Sequence, residues 1–166
     1  MTTTRVLFVC LGNICRSPAA EGVFVHLLEQ RGLSDRFVVD SAGTGGWHVG
    51  RRADERMRAA AARRGIELTS RARQIDLADL HSFDHIVTMD ADNLAAVHAL
   101  AREAGNPSGQ AQISAMTTYC RHHSGATEVP DPYYGGPQGF EHVLDLLEDA
   151  CDGLLLGLLR RADPGC

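Results

Sequence analysis

Arg5-Val6-Leu7-Phe8-Val9-Cys10 is a short, unbroken apolar run near the start of the chain. Such a run, without polar alternation, predicts a strand buried on both faces, as in a parallel sheet. Leu11–Arg16 then reads as a loop. Ser17-Pro18 opens a helix, with the hydroxyl as cap and proline in the first position. Helical spacing continues through Phe24, Leu27 and Leu28 to a stop at Gly32. Phe37-Val38-Val39 predicts a second strand, which leads into the glycine-rich loop Ser41–Gly50. The Ala/Arg-rich segment Asp54–Arg64, ended by Gly65, predicts a helix. Ile86–Met89 reads as a third strand, Asp90–Glu103 as the helix behind it, and Gln112–Met116 as a weaker fourth strand. A last helix over about Phe140–Leu159 aligns Phe140, Val143, Leu144, Leu147, Ala150, Cys151, Leu154 and Leu158 on one face.

Strands alternating with helices imply an α/β fold, a parallel sheet covered on both sides with right-handed crossovers. The chain has 166 residues and shows no repeat, low-complexity tract or linker, so residues 1–166 are expected to form a single domain. In such sheets ligands bind beyond the carboxyl ends of the strands, where the loop after Cys10 lies.

Composition narrows the chemistry. Hydrophobic residues make up 44% and charged residues 22%, an ordinary globular balance. A net charge of −5 gives no footprint for general nucleic-acid binding, so no nucleic-acid partner is expected. All 16 basic residues are arginine. The absence of lysine excludes a Schiff base, a Walker-type lysine and a lysine general base. Any anion must therefore be held by arginine, backbone N–H groups or helix termini. The five cysteines, Cys10, Cys15, Cys120, Cys151 and Cys166, include no C-x-x-C pair and no zinc-ligand spacing, so no metal is expected. An odd cysteine count beside a polar Met1–Arg5 segment without a signal pattern predicts free thiols and a cytoplasmic location. Asp145, Glu148, Asp149 and Asp152 interrupt the last apolar stretch, which argues against membrane insertion, and Asp163-Pro164-Gly165-Cys166 is no lipidation box.

The strongest chemical signal is Cys10-Leu11-Gly12-Asn13-Ile14-Cys15-Arg16-Ser17, a Cys-x5-Arg-Ser loop between a strand and a helix. A loop of this length curls its N–H groups into an anion nest at a helix N-terminus. The same donors favour thiolate over thiol at Cys10. Arg16 can fork onto two phosphoryl oxygens, most strongly as charge shifts in the transition state. Gly12 and Asn13 tolerate the left-handed conformations expected of a tight cradle. Ser17 can cap the helix and hydrogen-bond the sulfur when the thiolate leaves. Taken alone, Cys-x5-Arg fits a structural cysteine and a solvated arginine equally well. The strand before it, Gly-Asn within it and Ser-Pro after it favour an active loop. Phosphomonoester hydrolysis also needs an acid for the leaving oxygen. Asp131 in Pro130-Asp131-Pro132-Tyr133-Tyr134-Gly135-Gly136 is the candidate. Asp, Pro and Gly suit a plain surface turn, but two adjacent tyrosines are more than a turn needs.

The Cys10–Ser17 loop, Asp40-Ser41-Ala42-Gly43-Thr44, Ala72-Arg73-Gln74-Ile75, Met89-Asp90 with Asn93, and Asp131–Gly135 together resemble the low-molecular-weight protein-tyrosine phosphatase family, in family order and over nearly the whole chain. The resemblance implies a three-layer domain with a four-stranded parallel sheet, helices on both faces, and no metal or cofactor. It implies a phosphocysteine on Cys10, with Asp131 as acid then base and Arg16 holding the phosphoryl group. Leu11, Gly12, Asn13, Ile14, Cys15 and Ser17 would complete the phosphate loop, with Asn13 bonded to polar neighbours such as Ser41. Trp47 would wall the cleft opposite Tyr133 and Tyr134, making a deep aromatic slot that suits phosphotyrosine in a protein or peptide and excludes phosphoserine. His48 reads as a structural loop residue. Cys15 is either a reversible disulfide partner for Cys10 or a buried thiol packed under the loop. A monomer or weak dimer is expected. One departure from the family is Ser70, where histidine is frequent, which leaves the bracing of the loop open.

Rival readings follow from the same loop. Arsenate reductases of this fold need relay cysteines after the third strand, and His81–Asn93 contains none. Protein-arginine phosphatases typically carry threonine where this chain has Ile14; an apolar residue there favours an aromatic substrate. A non-catalytic phosphate-binding module would lack the nucleophile or the acid, and both are present. His122 and His123 have no metal-ligating neighbours in sequence and read as a solvated loop. The run Arg51, Arg52, Arg56, Arg58, Arg63 and Arg64 reads first as a solvated helix, and second as a dock for acidic phosphopeptides.

Overall fold

The computed structural model describes residues 3–162; Asp163–Cys166, whose ending was considered above, lie outside the described residues. Four parallel strands form one sheet in the order β2-β1-β3-β4: β1 (Thr4–Cys10), β2 (Phe37–Gly43), β3 (His85–Thr88) and β4 (Gln112–Ala115). Around them run α1 (Arg16–Gln30), α2 (Glu55–Ala62), the single turn α3 (Asp79–Ser82), α4 (Ala91–Ala104) and α5 (Pro137–Ala162).

Central position explains the opening apolar run. Val6, Leu7, Phe8, Val9 and Cys10 are all buried because β1 has a strand on each edge and helices over each face. Alternation along β1 divides the core. Val6, Phe8 and Cys10 join the cluster formed with α1, α2 and α5, whereas Leu7 and Val9 face Leu80, Ile86 and Val97. Every residue expected on the apolar face of the last helix is buried. That helix begins three residues earlier than expected, at Pro137.

The sequence missed the full length of β2, which runs on to Gly43 because it stays in register with β1 to its end, pairing Gly43 with Cys10. It also missed α3, whose four residues are too few for a periodic signal. The chain leaves β1 towards β2 on one side and later returns to β3 on the other. The loop after Cys10 thus opens at the point where the strand order reverses, the place where open α/β sheets take ligands. No helix among the described residues is long and apolar enough to cross a membrane.

Candidate active site

The loop between β1 and α1 is held by side-chain amides and hydroxyls. Asn13 adopts φ 57°, the left-handed region that an asparagine tolerates. There its Nδ2 donates to Ser17 Oγ (2.7 Å) and Ser41 Oγ (3.0 Å), and its Oδ1 accepts from Arg73 N–H (3.0 Å). Gly12 departs from expectation, since it has no positive φ. Its lack of a side chain serves close approach instead: a Cβ there would lie 3.0 Å from His48 Cδ2. Ser17 also departs from the role of cap. The helix starts two residues earlier than expected, at Arg16, and its N-cap Cys15 makes no side-chain cap bond. The Ser17 hydroxyl faces inward, 3.0 Å from Cys10 Sγ. Since its oxygen accepts from Asn13, the Ser17 hydrogen is left for Cys10 Sγ at 3.0 Å or Ala42 O at 3.4 Å, of which the sulfur is the nearer. Asn13 N–H also donates to Cys10 Sγ (3.3 Å), so two donors converge on an atom that is nearly sealed from solvent.

Arg16 is buried at 2% exposure, an expensive place for a charge unless it is paired. Asp90, the N-cap of α4, provides the pairing. Its Oδ2 accepts from Arg16 Nη1 at 2.6 Å, and Val129 O accepts from the same nitrogen at 3.1 Å. Burial works against the guanidinium charge, while Asp90, Cys10 and Asp131 favour it, and the balance leaves Arg16 above its ordinary range. Nη2 carries no hydrogen bond to the described protein and lies 3.8 Å from Asp131 Oδ2. Asp131 stands at the rim with a half-exposed side chain, its other oxygen accepting from Tyr133 N–H (3.1 Å). Among the described residues no protein acceptor takes the N–H groups of Gly12, Ile14 or Cys15, which leaves them for an anion.

A cavity of about 410 Å³ brings these groups together. Its floor is Cys10, Leu11, Gly12, Ile14, Cys15 and Arg16, and its rim is Trp47, His48, Asp131, Tyr133 and Tyr134. Asn13 and Ser17 support the floor from below without lining it. The expected deep slot needs correction: Cys10, Cys15 and Arg16 are buried at its floor, but Trp47 is 71% and Tyr134 94% exposed, so the aromatic walls stand in solvent. The two tyrosines meet edge to face at 4.9 Å, and Arg56 stacks on Tyr133. His48 does more than shape a loop. Its ring lies against Gly12 and lines the cavity, while its buried Nδ1 has no hydrogen-bond partner among the described residues.

Cys15 is buried, and burial first, then Asp54 and Cys10, push its thiol far above the ordinary range. The loop bracing left open by Ser70 has an answer in Glu21. Ser41 Oγ donates to Glu21 at 2.6 Å, and burial raises this carboxyl above the usual range against hydrogen bonds from Ser41 and Ser70. A chain of Asn13, Ser41 and Glu21 thus stands under the loop. Sequence reasoning missed Glu21 and the role of Asp90. Nothing local marks Glu21. Asp90-x-x-Asn93 is a visible capping box, but its second task, holding Arg16, depends on a residue far away in the chain. His123, weighed as a metal ligand, instead approaches Asp149 (3.0 Å).

Comparison with known proteins agrees with this geometry. Residues 5–163 match the family model described as low molecular weight phosphotyrosine protein phosphatase. A Streptomyces coelicolor low molecular weight protein-tyrosine-phosphatase is 43% identical over 162 residues, covering 97% of each chain. A protein tyrosine phosphatase from Entamoeba histolytica, solved with Hepes in the active site, superposes with a TM-score of 0.88 at 40% identity, covering 96% of this chain and 99% of that one. A Drosophila arginine phosphatase superposes at 0.86 with 32% identity over 92% of this chain and 96% of its own. Fold, loop and sequence coincide over nearly the whole length, and the chain belongs to the low molecular weight phosphotyrosine protein phosphatase family.

Proposed function

We propose that this enzyme hydrolyses phosphotyrosine in proteins, and small aryl phosphates, through a phosphocysteine intermediate on Cys10. The observation that carries the reading is the meeting of Cys10, Arg16 and Asp131 in one aromatic-rimmed cavity. In the first step the Cys10 thiolate attacks phosphorus, the bond to the aryl oxygen breaks, and protonated Asp131 gives its proton to that oxygen. In the second, Asp131 takes a proton from water as the water oxygen attacks phosphorus; the S–P bond breaks and the thiolate returns, stabilised by Ser17 and Asn13 N–H. Arg16, steadied by Asp90, and the free loop N–H groups hold the phosphoryl oxygens in both steps. Ile14, partly buried against the core, supports an apolar leaving group at the floor. The match across residues 5–163 supports one catalytic domain, and the free thiols Cys10, Cys15, Cys120 and Cys151 suit a reducing, cytoplasmic setting.

The test compares wild type with Cys10→Ser and Asp131→Asn on p-nitrophenyl phosphate, phosphotyrosine peptide, phosphoarginine and arsenate. Cys10→Ser is expected to be inactive, and Asp131→Asn to lose about 10²–10⁴-fold in kcat. Full activity in Cys10→Ser would refute the mechanism. Faster turnover of phosphoarginine than of phosphotyrosine would move the enzyme to the arginine phosphatase branch that its Drosophila structural relative represents.

A further inference from the structure

Among the six arginines of the run beside the cleft, the fold gives four an internal partner. Arg56 pairs with Asp54 (2.9 Å), Arg63 with Glu141 (3.1 Å), and Arg64 with Glu141, Asp145 and Glu148 (3.0–3.4 Å). Arg58 donates to Ala53 O (2.9 Å). Arg51 and Arg52 have no carboxylate within 4 Å among the described residues, and the fold adds a third such arginine, Arg71, whose Nη1 donates to Gly50 O (3.0 Å). Arg52 and Arg71 are direct partners across an isolated antiparallel bridge, and all three side chains are exposed. Directly opposed residues of an antiparallel pair project to the same side with Cβ atoms about 5 Å apart, where like charges repel. In a chain of net charge −5, no carboxylate among the described residues comes within 4 Å of either side chain.

The arginines also belong to the same piece of backbone as the cavity rim. Arg51 N–H donates to His48 O (2.9 Å), Gly50 N–H to Ala72 O (2.8 Å) and Ala72 N–H to Arg51 O (2.8 Å). One end of this ribbon carries Trp47 and His48 into the cavity, and Arg73 N–H ties its second strand to Asn13 of the phosphate loop. Trp47 and Val49 add exposed apolar surface between the cavity and the charges.

We infer that this ribbon docks acidic side chains flanking the phosphotyrosine of a protein substrate, with Arg51, Arg52 and Arg71 as the recognising cations. The inference rests on the phosphotyrosine reading above and names a substrate class within it. Its test uses phosphotyrosine peptides of equal length with three Asp/Glu residues on the N-terminal flank, on the C-terminal flank, or replaced by Asn/Gln. Wild type is expected to prefer one acidic flank about tenfold in kcat/KM, through KM with kcat unchanged, and to lose the preference as salt rises. Arg52→Glu with Arg71→Glu is expected to abolish the preference, and Arg52→Gln with Arg71→Gln to reduce it severalfold. Both pairs keep wild-type turnover of p-nitrophenyl phosphate, which reports an intact fold and site. Equal kcat/KM for acidic and neutral peptides in wild type, or a preference that survives both double variants, overturns the docking role. Failure to hydrolyse p-nitrophenyl phosphate in wild type is a different outcome, since it would overturn the phosphatase reading itself.

Discussion

Asp90→Asn is the most informative single change, because Asp90 performs two separable tasks. It caps α4, accepting from Asn93 N–H at 2.8 Å, and it pairs with buried Arg16 at 2.6 Å. Asparagine caps a helix about as well as aspartate. The substitution therefore leaves the cap and removes the charge. Stripping one partner from a buried ion pair costs about 3–5 kcal/mol. Here Val129 O still accepts from Arg16, and the Asp90 side chain keeps 19% exposure, so the cost falls at or just below the lower end of that range. The expected cost is about 2–3 kcal/mol for Asp90→Asn, and about 1 kcal/mol more for Asp90→Ala, which also loses the cap. Urea unfolding at pH 7 measures both values. Free Arg16 should also lose its aim at the phosphoryl group, lowering kcat/KM on p-nitrophenyl phosphate about 10²-fold. An anion in the cradle restores a negative neighbour to Arg16, so saturating phosphate should stabilise Asp90→Asn more than wild type. An Asp90→Asn protein within 0.5 kcal/mol of wild type, with kcat/KM within about twofold, would show that packing and Val129 alone hold Arg16.

Further outcomes follow from other sites. Asn13→Ala loses three side-chain hydrogen bonds and forces alanine into φ 57°, so it should cost about 3 kcal/mol and lower kcat more than it raises KM; Asn13→Gly recovers only the backbone part in the same unfolding assay. Asp149 is buried, and although burial opposes its charge, the N–H groups of Arg121, His122 and His123 and the His123 ring hold its carboxyl well below the usual range. A depressed carboxyl stabilises the fold above its unfolded pKa of about 3.9 and loses that contribution as pH falls towards its folded value. Asp149→Asn should therefore be destabilised by about 2–3 kcal/mol at pH 7, with the gap between the two unfolding curves narrowing steadily as pH falls below about 4. Gly153→Ala would put a Cβ 1.9 Å from Tyr119 O, so thermal unfolding should show a loss of about 2 kcal/mol or more despite the better helix propensity of alanine; a raised Tm would refute the close packing of α5 on the Met116–Tyr119 turn.

Much of the fold was legible because it is written in local patterns. An unbroken apolar run marks β1, a 3.6-residue stripe marks α5, and Gly32 and Gly65 follow their helices in the left-handed conformation that other residues avoid. Boundaries slipped where tertiary pairing overrode local preference. Ser17 looks like a cap, yet its hydroxyl has stronger partners inside the loop. The loop Cys10–Ser17 and the Asp131 turn were each readable as chemistry because their residue types and spacing carry the need for a nucleophile, a cation, a nest and an acid.

The order of elements and the chemical groups of the site are thus written in local stretches of the chain. Which groups support which follows from long-range pairing in the fold. Arg16 and Asp90 are 74 residues apart, and Asn13 and Arg73 are 60 apart. The first pair meets because β1 pairs with β3 in a register that sets Val9 beside Thr88, and the second because the segment after Arg73 bridges Gly43, which pairs with Cys10 at the end of β2. The same holds for the arginines: their run is visible in the sequence, but α5 neutralises two of them and a bridge to Arg71 sets Arg52 against a like charge. Hydrophobic period and capping act over a few residues, whereas the pairing of charges and hydrogen bonds depends on strand register across the whole sheet, which no local window of sequence contains.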